Sequence, residues 1–308
     1  MPRPAPLTRS SRVAVVAPAS AALDRADLEG GLAALRARGL EVALTEPGAL
    51  GYLAGPDAQR AAALNDALAS DADAVVCLRG GYGVLRILDR VDYDAARAHP
   101  KLVVGYSDIT ALHLALYAQA GLTGVSGPMI ASDWARDLDA ETEAHFWHVA
   151  GGARDYDLEG PGGEPLVPMQ DGAAEGVLLG GNLALVSALL GTPYLPDLEG
   201  AILFLEDVAE APYRIDGMLA RLRLAGVLEK LGGLVFGLFT DADVKPGRPT
   251  LSVDEVLAHY ARFVNGPVAG GLVYGHVTRK ATVPVGVRAR LEVGGAAARL
   301  RVLEAVAS

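Results

Sequence analysis

Cysteine is almost absent from this 308-residue chain: Cys77 stands alone, so no internal disulfide can form. It lies in the apolar run 74–78 and reads as a small buried hydrophobe rather than a nucleophile. Positive charge is in deficit as well. With 27 Lys and Arg against 37 Asp and Glu the formal net charge is -10, whereas a grip on phosphate backbones needs clustered cations, so no nucleic-acid partner is expected. Long apolar runs are missing too. The stretches 13–17 and 232–239 fall far short of the roughly 20 residues that cross a bilayer, and no membrane association is expected. Arg3, Arg9 and Arg12 are not followed by an apolar signal-peptide core, and 13–17 reads as a first strand, which argues for a cytoplasmic protein. No zinc-ligand spacing occurs. His145 and His148 form a pair without a third ligand and read as a solvated helix face, so no metal is expected.

What is present is apolar material, 51% of the residues, enough for one large core or two ordinary ones. The first half alternates short β-branched runs with Ala/Leu-rich segments, the pattern of parallel strands crossed by helices. Strands are expected at 12–17, 41–45, 74–78 and 101–105. Leu28, Leu32 and Leu35 form a helical stripe over 25–38 that Gly39 stops, and a second helix is expected over 56–70 with Asp57 as its N-cap. Between 151 and 172 the composition shifts to Gly, Pro, Glu and Asp with little periodicity. Beyond it, 176–179, 201–205, 233–239 and 287–293 read as strands, and 182–190 and 214–225 as helices. The expected fold class is α/β: a doubly wound, flavodoxin-like parallel sheet over 1–150, a linker over 151–175, and a smaller mixed β/α domain over 176–308.

Chemistry gathers where apolar strands end. Ser107 stands between the strand 101–105 and an apolar-periodic helix, which resembles a nucleophile elbow: a sharp turn exposes the hydroxyl above the sheet. Gly105 supplies the first glycine of Gly-x-Ser-x-Gly, but Ile109 stands where the second belongs, so an ordinary N-cap at Ser107 or Asp108 is the competing reading. The run Leu78 to Gly83 (Leu-Arg-Gly-Gly-Tyr-Gly) follows the preceding strand and can turn amide hydrogens toward a ligand. A serine nucleophile needs a base, and the base needs an acid. Among six histidines, His276 ends the apolar run 270–276, which reads as a strand that would project the ring into a cleft, while His113, His99 and His259 read as misdirected or exposed. Glu206 ends the apolar strand 202–205, where a partly buried carboxylate needs a partner; a helix N-cap or a solvated loop for Glu206 and Asp207 is the competing reading.

These motifs, with Gly105 to Thr110 (Gly-Tyr-Ser-Asp-Ile-Thr), Gly181 to Leu183 and Leu205 to Asp216, resemble those of the LD-carboxypeptidase family of serine peptidases, in order along nearly the whole chain. That family includes muramoyltetrapeptide carboxypeptidases and microcin C immunity peptidases. The resemblance implies a Ser-His-Glu triad on Ser107, His276 and Glu206, an oxyanion hole from the Gly80-Gly81 turn and the amide of Asp108, no cofactor, and a homodimer. It implies removal of the terminal D-Ala from a cytoplasmic murein tetrapeptide, a small peptide substrate. Cleavage of a peptidyl aminoacyl-nucleotide is the alternative. Glu210 is similar to the acidic residue of the first branch, suited to the ammonium of diaminopimelate or lysine, where the immunity branch carries lysine. Asn182 and Arg214 are further substrate-binding candidates, and an ion pair of Arg214 with Glu210 or Asp216 is the competing reading.

Overall fold

The computed structural model describes residues 3–136, 138–242 and 249–308. The chain forms two compact units: Met1–Ala153 with Thr282–Gly286 and Ala305–Ser308, and Arg154–Ala281 with Val287–Glu304.

In the first unit strands and helices alternate: β1 (Arg12–Val16), α1 (Arg25–Ala37), β2 (Glu41–Leu44), α2 (Asp57–Ala69), β3 (Ala74–Cys77), α3 (Tyr93–Ala98), β4 (Leu102–Val104), α4 (Ile109–Ala120), β5 (Gly124–Ser126) and α5 (Ala140–Ala150). Strand β12 (Val283–Val285) returns to the same sheet. The order is β12-β5-β4-β3-β1-β2, with β1 to β5 parallel and β12 antiparallel on β5. Strands β3 and β4 are buried throughout because helices cover both faces of such a sheet, hence their unbroken apolar sequence. The parallel order 2-1-3-4-5 is the flavodoxin-like one, as expected. It reverses between β1 and β3, so the loops that follow those strands diverge and leave a crevice at the carboxyl edge.

Local chemistry sets the helix ends. Asp24 caps α1 by accepting from the Ala26 amide at 2.9 Å, Leu28, Leu32 and Leu35 are buried, and Gly39 at φ 96° ends the run. The expected N-cap at Asp57 is not observed: Pro56 holds that position, and Asp57 is the first helical residue. Its carboxylate instead binds Arg60 at 2.5 Å and Arg86 at 2.9 Å. Arg60, 2% exposed, donates to the carbonyls of Pro18, Gly55 and Gly83 and so ties the loops after β1 and β3 together. His145 departs from the expected solvated face. It is half-buried, its Nδ1 accepts from the Thr282 amide at 2.9 Å, and burial lowers it to about 4, so it serves as a neutral acceptor anchoring the approach to β12.

The second unit holds β6 (Tyr156–Leu158), β7 (Val167–Gln170), β8 (Gly172–Asn182), α6 (Leu183–Ala188), β9 (Ile202–Val208), α7 (Pro212–Leu224), β10 (Gly233–Thr240), α8 (Val253–Ala261), β11 (Val268–Gly270), β13 (Val287–Gly294) and β14 (Ala297–Val302). They form one mixed sheet, β6-β14-β13-β8-β9-β10-β11-β7. The inner strands β8 to β11 are parallel, and the others pair antiparallel at its flanks. Alternating buried and exposed residues along β13 mark a sheet region with one wet face. Two short strands, β6 and β7, lie in the Gly/Pro/acid-rich segment, too brief to show a period.

Candidate active site

In the first unit β4 emerges from the core and turns at Gly105-Tyr106-Ser107 into α4. Ser107 has φ 64°, the left-handed region that a β-carbon disfavours by roughly 1–2 kcal/mol. Backbone strain of this kind at a strand-to-helix junction is the mark of a nucleophile elbow. Ile109, which breaks the sequence pattern, explains itself: its side chain packs on Gly105, where a β-carbon would lie 2.9 Å from it. Gly80 meets the elbow from the β3 loop, and a β-carbon there would lie 2.8 Å from Ser107 Cβ and 3.0 Å from its Oγ. The amides of Gly80, Gly81 and Asp108 donate no hydrogen bond to the described residues, leaving them available to an oxyanion.

Asp108 occupies the N-cap position of α4, but its side chain makes no cap bond. It is 4% exposed, and Oδ2 accepts from the Val84 amide at 2.9 Å, fastening the β3 loop to the elbow. Burial pushes its carboxyl up to about 6, against the lowering effects of that bond and of Arg60. His113 is fully buried beneath the turn, where its Nε2–H donates to the Gly105 carbonyl at 2.9 Å and burial lowers it to about 4. It supports the elbow's backbone as a neutral ring.

The second unit holds a carboxylate–imidazole pair. Glu206 in β9 has no exposed surface, and its Oε2 lies 2.9 Å from Nδ1 of His276, a side chain 21% exposed. A neutral imidazole that donates through Nδ1 keeps Nε2 as its basic nitrogen. Oε1 of Glu206 accepts from Asn182 Nδ2 at 3.2 Å. The strand expected to carry His276 is not formed. β11 stops at Gly270, because Gly271 at φ 76° and Gly275 at φ 140° turn the chain out of the ladder. Only isolated bonds to β10 remain, such as Leu238 to the Tyr274 carbonyl at 2.9 Å. Gly275 is required where it stands, since a β-carbon there would approach Glu206 Oε2 to 3.0 Å.

Asn182 is 4% exposed and committed inside the unit: Nδ2 donates to Glu206 and, at 2.9 Å, to Asp207 Oδ1, while Oδ1 caps α6 by accepting from Leu185. Asp207, for which the sequence offered only an N-cap or a solvated loop, is 3% exposed and belongs to this network. Its Oδ1 also accepts from Val208, and Oδ2 accepts from Ala184 at 3.0 Å. Burial raises it to about 6, with the Glu206 charge acting the same way. Its signal was the acidic doublet itself: a second carboxylate at the end of an apolar inner strand needs donors of its own. On α7, exposed Arg214 bonds to Glu210, and Asp216 instead accepts from the Tyr260 hydroxyl at 2.5 Å.

A strained serine under unpaired amides and a buried carboxylate fixing an imidazole are the parts of a serine hydrolase. Family models for the LD-carboxypeptidase N-terminal domain and C-terminal domain match residues 13–127 and 175–291. The chain belongs to the LD-carboxypeptidase family, as its motifs led one to expect. It is 41% identical to a candidate carboxypeptidase of Streptomyces coelicolor over 94% of this chain and 93% of that one. A probable murein peptide carboxypeptidase of Bacillus subtilis is 36% identical over 94% and 91%, and the murein tetrapeptide carboxypeptidase of Pseudomonas aeruginosa 33% over 91% and 93%. The crystal structure of muramoyltetrapeptide carboxypeptidase from Oxalobacter formigenes superposes with TM-score 0.85 at 33% identity, covering 95% of this chain and 99% of that one. The microcin C7 self-immunity protein shares the fold, with TM-score 0.87 at 23% identity and 99% of each chain covered.

Proposed function

We propose that Ser107, His276 and Glu206 work as one triad that hydrolyses the L-to-D peptide bond releasing the terminal D-Ala of a cytoplasmic murein tetrapeptide. The observation that carries the reading is the left-handed backbone of Ser107, a strain that a merely structural serine does not require. In the mechanism, Nε2 of His276 takes the hydroxyl proton as Ser107 Oγ attacks the penultimate carbonyl. The amides of Asp108 and of the Gly80-Gly81 turn receive the oxyanion. The tetrahedral adduct collapses as the imidazolium gives that proton to the departing amine of D-Ala, leaving an ester on Ser107. Water, deprotonated by the same ring, cleaves the ester and restores the hydroxyl. Glu206 holds the ring's tautomer and balances its charge when protonated.

The murein-directed names of relatives that align over nine-tenths of the chain support this substrate over an aminoacyl-nucleotide. Glu210 adds to it, because a carboxylate there suits the ammonium of diaminopimelate, which would share it with Arg214. Mass spectrometry of L-Ala-γ-D-Glu-diaminopimelyl-D-Ala incubated with the purified protein tests the reading. Loss of one alanine is expected, and an unchanged peptide rules the substrate out.

A further inference from the structure

We infer that Arg79 binds the free carboxylate at the end of the peptide, making it the residue by which this enzyme recognises a chain terminus. The inference rests on the carboxypeptidase reading above and adds the group that selects the substrate's anionic end.

Arg79 follows β3, and its Nη1 reaches the carbonyl of Ala21, in the loop after β1, at 3.4 Å. It therefore spans the point where the strand order reverses, which is where open α/β sheets bind their ligands. The next residue, Gly80, packs directly on Ser107. The β1 and β3 loops are joined there a second time, since the Ser20 amide donates to the Gly80 carbonyl at 3.3 Å and the Tyr82 amide to Ser20 Oγ at 3.3 Å. Arg79 thus leaves the backbone one residue from the point where the β3 loop meets the nucleophile.

Its charge is unanswered. Half-buried, it has no carboxylate partner among the described residues, and its one hydrogen bond is long. Other half-buried or buried arginines of the same unit are matched: Arg60 with Asp57, and Arg38 with Glu143 at 2.5 Å. In a chain with ten more acidic than basic side chains, an unmatched guanidinium at the ligand edge calls for an anion from outside. A carboxypeptidase substrate supplies one, because the terminal carboxylate lies two bonds beyond the scissile nitrogen. The planar guanidinium, with five N–H donors, can hold both carboxylate oxygens side by side. A purely structural Arg79 would only latch the Ala21 loop.

The test compares the tetrapeptide ending in D-Ala with its D-alaninamide counterpart. The wild-type protein should prefer the acid by about 10- to 100-fold in kcat/KM, the worth of one charge-assisted pair. Arg79→Gln should erase the preference through KM for the acid alone, and Arg79→Lys, which keeps the charge without the fork, should retain part of it. An acid-to-amide ratio unchanged in Arg79→Gln, or an equal loss on both substrates, overturns the inference in favour of a latch. A second measurement needs no variant: free D-alanine should inhibit the wild-type protein and D-alaninamide should not, and equal inhibition by both also overturns it. Failure of the underlying reading looks different. Ser107→Ala that still turned over peptide would unseat the nucleophile, while equilibrium binding of the acid and the amide to that same variant would still report on Arg79.

Discussion

The two halves of the proposed catalytic apparatus are held by different means. In the first unit the backbone does the positioning: Ser107 sits in a left-handed turn, Gly80 lets the β3 loop approach it closely, and the amides of Gly80, Gly81 and Asp108 donate no hydrogen bond among the described residues. The second unit relies on side chains, with Glu206 and Asp207 buried side by side and Asn182 bridging them. Backbone strain is local and survives changes in side-chain chemistry, whereas a buried polar network fails as a whole when one member loses its complement.

The largest effect expected from this contrast is a separation of activity from stability at Ser107. Ser107→Gly should abolish turnover, by roughly four orders of magnitude or more, while raising unfolding stability by about 0.5 to 1 kcal/mol, since glycine adopts the left-handed turn freely. Activity assays paired with urea melts would show it, and a destabilised variant would break the claim of strain. A middle-sized effect divides the halves. Gly80→Ala crowds Ser107 and should lower kcat about 10- to 100-fold through misplacement of the hydroxyl. Asp207→Asn should lower kcat only about tenfold but destabilise by about 1–3 kcal/mol. Both its carboxylate oxygens accept from N–H groups, so an amide must turn its NH2 against one of those donors. If the two variants showed the same balance of rate and stability, the contrast would fall.

The smallest effect is in pH. His113 and His145 are held near 4 by burial, well below the ordinary 6.5, so acid protonates the unfolded chain first. Stability is full above about 6.5 and falls as pH drops toward 4, by at most about 1.4 kcal/mol per pH unit for each ring. Asp108 and Asp207, raised to about 6 from 3.8, act in the other direction: their stabilisation is complete below about 4 and is lost as pH rises through 6. His145→Gln, which can still accept from Thr282, removes one of the two histidine contributions, so its denaturant midpoint relative to that of the wild type should rise as pH falls from 6.5 to 4.5, and an unchanged difference would remove His145 from the account.

The same contrast explains what could be read from the residues. The order of strands and helices in the first unit follows from periodicity, and Ser107 could be singled out because an elbow is local: strand, turn and helix are contiguous in sequence. The pairing of Glu206 with His276 spans seventy positions, and only the resemblance to a family of known plan brought them together. Asp207 and the neutral role of His145 stayed hidden, since each depends on partners that come from other elements. Strands β6 and β7 were concealed by brevity, and the expected strand before His276 by its apolar composition, which hid the two glycines that bend it away from the ladder.

The return of β12 and of residues 305–308 to the first unit has a bearing on biosynthesis. The Thr123 hydroxyl donates to the Val306 carbonyl at 2.7 Å, and the Ser308 amide to the Pro4 carbonyl at 2.9 Å. While the chain is still emerging from the ribosome, the earliest sheet has an open edge at β5 and awaits partners made nearly three hundred codons after its first residues. A nascent chain arrested after residue 150 would thus expose an unpaired strand, a surface for chaperones to cover until translation delivers its closing pieces.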